Sequence, residues 1–105
     1  MTMNAISKDI AKWREEKGFY TPPTIEGEDA DFMLGKLMLV VTEVAEAAEA
    51  VRKGDLENFK EEIADALIRL LDICGTMGID PEEIIVQKMI INADRPIRHG
   101  KKTQL

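Results

Sequence analysis

Apolar residues recur along this chain at helical spacing, and Gly, Pro and Asp residues mark where each periodic segment begins or ends. The pattern predicts four helices, over residues 4–17, 29–53, 55–76 and 80–95. No stretch alternates in the way that a half-exposed strand does. Because short connections join antiparallel neighbours, we expect an all-α subunit resembling an antiparallel four-helix bundle.

The predicted second helix is apolar around half of its circumference. One apolar stripe includes Met33 and Val40, and a second stripe beside it includes Met38 and Val41. A single hairpin partner cannot cover both stripes, and the fourth predicted helix shows the same excess of apolar positions. We therefore expect a homo-oligomer, either a homodimer or a homotetramer.

The chain has 105 residues, which suits one domain with an N-terminal helix and loop (1–28) and a basic tail (96–105). Its formal net charge of −6 makes it a poor non-specific binder of nucleic acid or of an anionic membrane, so we expect neither partner. The longest apolar run, 37–41, is too short to cross a bilayer, and no signal peptide is visible. A cytoplasmic location is the resulting expectation.

Four carboxylates occur as two pairs on the second and third predicted helices. Glu43 and Glu46 are three residues apart, as are Glu62 and Asp65, so each pair shares one helix face. The turn expected at Gly54 is equally distant in sequence from Glu43 and Asp65, and also from Glu46 and Glu62. An antiparallel hairpin therefore brings Glu43 level with Asp65, and Glu46 level with Glu62.

Carboxylates that converge repel one another unless a proton or a cation relieves the repulsion. Oxygen ligands favour a hard ion, so the pattern indicates a Mg²⁺ site, in which Mn²⁺ can substitute and substrate phosphates commonly take part. The alternative is a solvated polar face, because these residues fall opposite the main apolar stripes on a helical wheel. A di-iron site needs Glu-x-x-His on two helices, and the only histidine, His99, lies in the tail.

The cations of this acidic chain gather near its C-terminal end. Lys88, Asn92 and Arg95 follow at helical spacing on the fourth predicted helix, and further cations occur in 96–105. A metal-bound triphosphate fits a chain with acidic pairs in its middle and basic residues near its end. The metal bridges carboxylate and phosphate, while Lys and Arg bind other phosphate oxygens. The alternative is that Lys88 and Arg95 pair with acidic residues and that the tail only aids solubility.

Together, the acidic pairs and the basic segment resemble the MazG-like all-α nucleoside triphosphate pyrophosphohydrolases. The likeness covers residues 30–102, with Glu43-x-x-Glu46, then Glu62-x-x-Asp65, and a closing segment over 88–101. It implies Mg²⁺-dependent hydrolysis of a ribo- or deoxyribonucleoside triphosphate to the monophosphate and pyrophosphate, with nucleotide-pool cleaning as the use. It also implies a dimer or a dimer of dimers, with the active site near the subunit interface.

Carried over residue by residue, the resemblance makes Glu43, Glu46, Glu62 and Asp65 the magnesium ligands. Either Glu43 or Glu46 would orient or deprotonate the attacking water. The same resemblance gives the substrate phosphates or sugar a set of polar contacts on the fourth helix, namely Lys88, Asn92 and Arg95.

The chain departs from the family pattern at positions that bear on the substrate. Many members carry two adjacent glutamates at the head of the first motif, and here the leading position is Thr42. Some relatives that hydrolyse pyrimidine nucleotides hold the base with hairpin aromatics, whereas this hairpin has only Phe59, and Arg69 follows Asp65 by four residues. The base preference therefore stays open.

The aromatic residues near the N-terminus divide into two groups. Trp13 continues an apolar stripe of the first helix and is expected in the core, whereas Phe19 and Tyr20 adjoin a Pro-rich loop and are candidates for a lid or a base contact.

Two other functions compete with the main hypothesis. One is a phosphoribosyl-ATP pyrophosphohydrolase-like enzyme, and the other is a non-catalytic helical interaction or regulatory module.

Overall fold

The computed structural model describes residues 1–95. These residues form four helices, α1 (Met3–Glu16), α2 (Glu28–Lys53), α3 (Leu56–Met77) and α4 (Pro81–Ala93), and contain no strand. The predicted all-α class and its four helices are confirmed, with helix ends that shift by at most two residues. The predicted basic tail, 96–105, lies outside the described residues. None of the four helices is long and apolar enough to cross a membrane.

Most helix ends follow the capping residues that the sequence predicts. The side chains of Asp55 and Asp80 accept hydrogen bonds from backbone N–H groups in the first turns of α3 and α4. The start of α2 differs, because Gly27 precedes the helix, no side chain caps it, and Asp29 lies in the first turn. The Asp29 carboxylate instead accepts hydrogen bonds from the Tyr20 and Thr24 hydroxyls, which ties it to the preceding loop.

A tight turn joins α2 to α3. Gly54 ends α2 in the left-handed conformation, with a φ of 68°, and Asp55 caps α3 immediately afterwards. So short a connection forces the two helices to run back along each other, and they form the hairpin on which the candidate site is built.

Helix α1 packs on α3 at very close range. The backbone of Ser7 lies against Gly75, where a β-carbon would overlap it. Further along, Arg14 forms an ion pair with buried Asp72 at 3.0 Å and donates to Thr76 Oγ1 at 2.6 Å. Gly75 and this polar contact together fix the position of α1 beside the hairpin.

The packing is more open than that of a closed four-helix bundle. Helix α4 packs on α1, while α2 and α3 pack on each other. The radius of gyration is 16.0 Å, against about 13 Å for a compact domain of this length. Within residues 1–95, the buried hydrophobic side chains are few and mostly small, namely Met33, Ala47, Ala50 and Ala66. Large apolar side chains therefore stay exposed on both α2 and α4.

Candidate functional site

The α2–α3 hairpin brings three of the predicted carboxylates together. One oxygen each from Glu43, Glu62 and Asp65 lies within 4.8 Å of the others. Glu62 is buried, Glu43 is half-buried and Asp65 is exposed, so the group runs from the protein interior to solvent. We call these three residues the carboxylate group. Its oxygens are close enough together to share one cation, and the assignment of these residues as metal ligands stays a prediction.

Glu46 interacts with Glu62 of the carboxylate group and is exposed. Hydrogen bonding with Glu46, then with Glu43, raises the pKa of Glu62 to about 8, and burial and the repulsion between these carboxylates add to the rise. A proton shared between Glu62 and its neighbours thus relieves the crowding of negative charge. All four carboxylates singled out in the sequence therefore lie close together, and Glu62 interacts with both Glu43 and Glu46.

One oxygen of Glu62 is buried without a hydrogen-bond donor in the described part of the chain. Glu62 is 8% exposed, and no donor within residues 1–95 reaches its Oε2 atom. A buried carboxylate oxygen left in this way is unfavourable unless a proton or a cation satisfies it. Oxygen ligands of this kind suit a hard divalent ion such as Mg²⁺. The residues present thus fit the metal that the sequence predicts.

Arg69 on α3 contacts the carboxylate group from the side of the hairpin. Its Nε donates to Glu43 Oε1 at 3.3 Å, and the side chains of Arg69 and Glu43 are 38% and 12% exposed. Within residues 1–95, no other Lys or Arg pairs with Glu43, Glu62 or Asp65. Arg69 is therefore the cation that offsets this negative charge in the described part of the chain.

A cleft of about 510 Å³ begins at Glu43 and Asp65 and extends towards α1. Its walls come from α1, the following loop, α2 and α3. Besides Glu43 and Asp65, the lining residues are Ile10, Trp13, Arg14, Phe19, Lys36, Leu39, Ile68, Arg69 and Asp72. The cleft thus joins an acidic end on the hairpin to an aromatic end beside α1.

The expectation that Trp13 packs in the core is wrong. Trp13 is 57% exposed and lines the cleft. Helix α1 docks on α3 through the face that carries Ser7, Ala11 and Arg14, so the stripe containing Trp13 turns towards the cleft instead. The apolar stripe of α1 could not reveal this, because the docking face is set by the close approach to Gly75.

Of the two loop aromatics, only one lines the cleft. Phe19 lies in the wall and is largely exposed. Tyr20 packs edge-on against Phe32, with ring centroids 5.4 Å apart, and its hydroxyl donates to Asp29. Tyr20 therefore holds the loop on the start of α2, and Phe19 is the residue placed to meet a ligand.

The charged residues at the α1 end of the cleft are unequally paired. Asp72 accepts hydrogen bonds from Arg14, Thr21 and Thr76, which occupy both of its oxygens. Lys36 makes no ion pair within residues 1–95. Desolvation lowers the pKa of its ammonium group, with Asp72 opposing this effect and the neighbouring arginines adding to it. The ammonium of Lys36 is thus a cation in the cleft that, within the described part of the chain, lacks a close anionic partner.

The predicted phosphate contacts on α4 do not line this cleft. Lys88 and Arg95 are exposed, and Asn92 carries a buried Oδ1 atom that no donor reaches within residues 1–95. Helix α4 packs on α1 and not along the acidic hairpin face that carries the carboxylate group. Contact between these residues and a substrate stays a prediction.

Sequence reasoning missed the contributions of Lys36, Arg69 and Trp13 to this cleft. Lys36 could have been found, because it lies seven residues before Glu43 and so on the same helix face. Arg69 follows Asp65 by four residues and so shares its helix face, but its contact with Glu43 joins two helices across 26 residues, and spacing alone does not show which carboxylate it reaches.

Comparison with known proteins finds a family model that covers most of the chain. The model of the MazG-like family matches residues 36–104, a stretch that holds both pairs but not α1 or the loop after it. No curated protein and no solved structure matches the chain.

Proposed function

This chain belongs to the MazG-like family, and we propose that it is a Mg²⁺-dependent nucleoside triphosphate pyrophosphohydrolase. The products would be the nucleoside monophosphate and pyrophosphate, and the cellular use would be nucleotide-pool cleaning. The observation that carries this proposal is the buried Glu62 Oε2 atom, which no donor within residues 1–95 reaches and which belongs to the carboxylate group. A solvated acidic face would leave no such oxygen buried.

Glu43, Glu62 and Asp65 would hold the ion, with Glu46 beside them. When bound, Mg²⁺ would offset the charge of the phosphates and polarise the attacking water. We assign the orientation or deprotonation of this water to Glu46, because Glu46 is exposed and would lie beside the ion, whereas Glu43 would be one of the ligands that hold it. A bond then forms between the water oxygen and the α-phosphorus, and the bond from that phosphorus to the leaving pyrophosphate breaks.

The cleft has room for the rest of a nucleotide. Its volume of about 510 Å³ falls within the usual range for small-molecule sites. Trp13 and Phe19 expose aromatic rings on which a base can stack. We propose that the phosphates lie at the carboxylate group and the base lies towards α1. Because α1 precedes the part of the chain that the family model matches, the base contacts of Trp13 and Phe19 would come from outside that part.

We propose in addition that the working form is a homodimer or a homotetramer. Within residues 1–95 the buried core is small, and large apolar side chains of α2 and α4 stay exposed, among them Met38, Val41, Ile85 and Ile90. Apolar surface of this extent is typical of a face that another protein covers. A second copy could also bring its α4, with Lys88, Asn92 and Arg95, to the phosphates. This arrangement would bring those residues to the substrate, since they do not line the cleft of their own subunit.

Pyrophosphate release from a panel of ribo- and deoxyribonucleoside triphosphates, with Mg²⁺ and with a chelator, tests the proposal. We expect metal-dependent release with the monophosphate as the other product, and loss of this release in Glu62→Gln. Glu57→Gln is the matched control, because Glu57 lies on the same helix as Glu62 but is exposed and pairs with Lys60.

Two outcomes would contradict the proposal and separate its rivals. Phosphoribosyl-ATP is included in the same panel. If it is the only compound from which pyrophosphate is released, the protein has the phosphoribosyl-ATP pyrophosphohydrolase-like activity instead. No release from any compound, and no change of melting temperature with Mg²⁺ and nucleotide, would indicate a non-catalytic module, because a ligand that binds the folded state raises its stability.

A further inference from the structure

We propose that Arg69 is an exchangeable counter-ion, which pairs with Glu43 before the metal binds and transfers to the substrate phosphates afterwards. The inference rests on the proposed function, since it requires a metal and a phosphate substrate. It gives a positioning and binding part to a residue for which the sequence left no assigned role. It also makes metal binding depend on the presence of substrate.

The contact between Arg69 and Glu43 is well suited to exchange. It consists of one hydrogen bond, from Nε to Oε1 at 3.3 Å, between a half-buried carboxylate and a more exposed guanidinium. A guanidinium carries five N–H groups, and within residues 1–95 Arg69 uses only the one on Nε. Its terminal nitrogens are therefore free of partners in the described part of the chain, and the single contact is weaker than a bidentate pair.

A divalent ion and Arg69 compete for the same carboxylate. Glu43 supplies one of the three oxygens that lie within 4.8 Å of one another. An ion placed among these oxygens adds positive charge next to the guanidinium, and like charges at such short distances repel strongly. Arg69 must then give up Glu43 or lower the affinity for the ion. Without substrate, Arg69 therefore weakens metal binding.

The cleft offers Arg69 a new partner only when a substrate is present. Asp72 lines the same cleft, but Arg14, Thr21 and Thr76 already occupy its oxygens. A triphosphate held by the metal would bring phosphate oxygens to the wall where Arg69 lies. The planar guanidinium can bind two phosphate oxygens at once through two parallel N–H groups. The contact of Arg69 with Glu43 uses only one N–H group. Metal and substrate would thus each favour the binding of the other.

The test measures two binding constants that should change in opposite directions in Arg69→Gln. The first is binding of Mn²⁺ alone to the metal-free protein, followed by the electron paramagnetic resonance signal of free Mn²⁺. The second is binding of the Mn²⁺ complex of inorganic triphosphate, followed by calorimetry. Inorganic triphosphate presents the phosphate chemistry without depending on a base preference.

In Arg69→Gln we expect Mn²⁺ alone to bind about two- to fivefold more tightly, the range for a partly exposed ion pair. We expect its triphosphate complex to bind about tenfold more weakly or worse, since charged hydrogen bonds to phosphate are lost. Arg69→Lys keeps the charge without the fork and should lose triphosphate affinity while binding Mn²⁺ alone much as the wild type does. Arg52→Gln, an exposed arginine paired with Glu49, should change neither constant.

Each other outcome overturns the inference. If Arg69→Gln weakens the binding of both Mn²⁺ and the triphosphate complex, Arg69 merely supports the carboxylate group. If it changes neither affinity, Arg69 takes no part in binding the metal or the phosphates. Should Arg69→Gln fail to fold, a wild-type triphosphate affinity in Arg69→Lys would overturn the inference as well. Failure of the proposed function is distinguishable, because a non-catalytic module would bind no Mn²⁺ even as the wild type, and a phosphoribosyl-ATP-specific enzyme would be identified by the panel of pyrophosphate-release substrates.

Discussion

The α2–α3 hairpin and the α1 side of the molecule meet at one cleft, yet they are positioned by different means. In the hairpin, the turn at Gly54 fixes the register and brings Glu43 and Asp65 together. On the α1 side, Trp13 reaches the cleft because Ser7 packs against Gly75 on α3. The short turn in the chain holds the hairpin together, whereas contacts between residues far apart in the chain hold α1 in place. The second region should therefore be the easier one to displace.

The two regions also differ in charge. The hairpin end concentrates carboxylates and raises the pKa of Glu62, while the α1 end pairs its buried acid with Arg14 and, within residues 1–95, leaves the Lys36 ammonium without a close partner. Under the proposed function, the hairpin would carry the metal and the reaction, and the α1 side would select the nucleotide. Substitutions in the hairpin should thus affect turnover, and substitutions on the α1 side should affect stability or substrate preference.

The largest effect is expected from Glu46→Gln in the hairpin. Removing the group that accepts or directs the proton of water should lower kcat by about 100-fold or more. Because Glu46 is exposed, the melting temperature of the metal-free protein should change little. Steady-state pyrophosphate release and thermal melting check both statements. Retention of full turnover would remove Glu46 from the mechanism, and equal loss in Glu49→Gln would point to a general charge effect.

The next largest effect is on stability and concerns the α1 side. Gly75→Ala places a methyl group where the Ser7 backbone lies, and we expect a loss of about 1–3 kcal/mol in the free energy of unfolding, as for an overpacked core. Urea denaturation measures it. Gly35→Ala is the matched control, since nothing lies within 4 Å of its β-carbon position, and a helical Gly→Ala change should stabilise by roughly 0.5–1 kcal/mol. Equal results at both positions would argue against the close helix contact.

A smaller effect, on substrate preference, is expected from Trp13→Ala. Loss of a stacking surface should raise KM for the preferred nucleotide about tenfold, as for loss of one base–aromatic contact. Binding of inorganic triphosphate should stay unchanged, because it has no base. Ile25→Ala removes an exposed loop side chain outside the cleft and serves as the control. If triphosphate binding weakened as well, the effect of Trp13 would be on the cleft as a whole.

The last expected effect is a pH dependence of stability in the metal-free hairpin. The folded-state pKa of Glu62 is raised from its ordinary value of 4.5 to about 8, so the protonated form is favoured on folding. The resulting stabilisation is full below pH 4.5 and is lost as the pH rises through about 8. Melting temperatures measured with a chelator should show this fall in the wild type. Glu62→Gln should flatten it, and a parallel fall in that variant would mean that other groups titrate.

Much of the hairpin follows from the sequence because its signals are local. Gly54 ends α2, Asp55 caps α3, and equal distances from the turn place Glu43 opposite Asp65. Capping and helical periodicity act over a few residues, so they can be read without knowledge of the tertiary packing. The same signals could not show how deeply Glu62 is buried, because burial depends on what packs around the hairpin.

The sequence by itself determined the four helices, the turn and the register of the acidic pairs, since each depends on interactions between near neighbours in the chain. Only the tertiary structure decided the position of α1, and with it the exposure of Trp13. The same is true of the contact between Arg69 and Glu43, which joins residues 26 apart. Which helix faces meet is settled by the fit of whole surfaces, here by the space beside Gly75, and a periodic pattern names the faces without naming their partners.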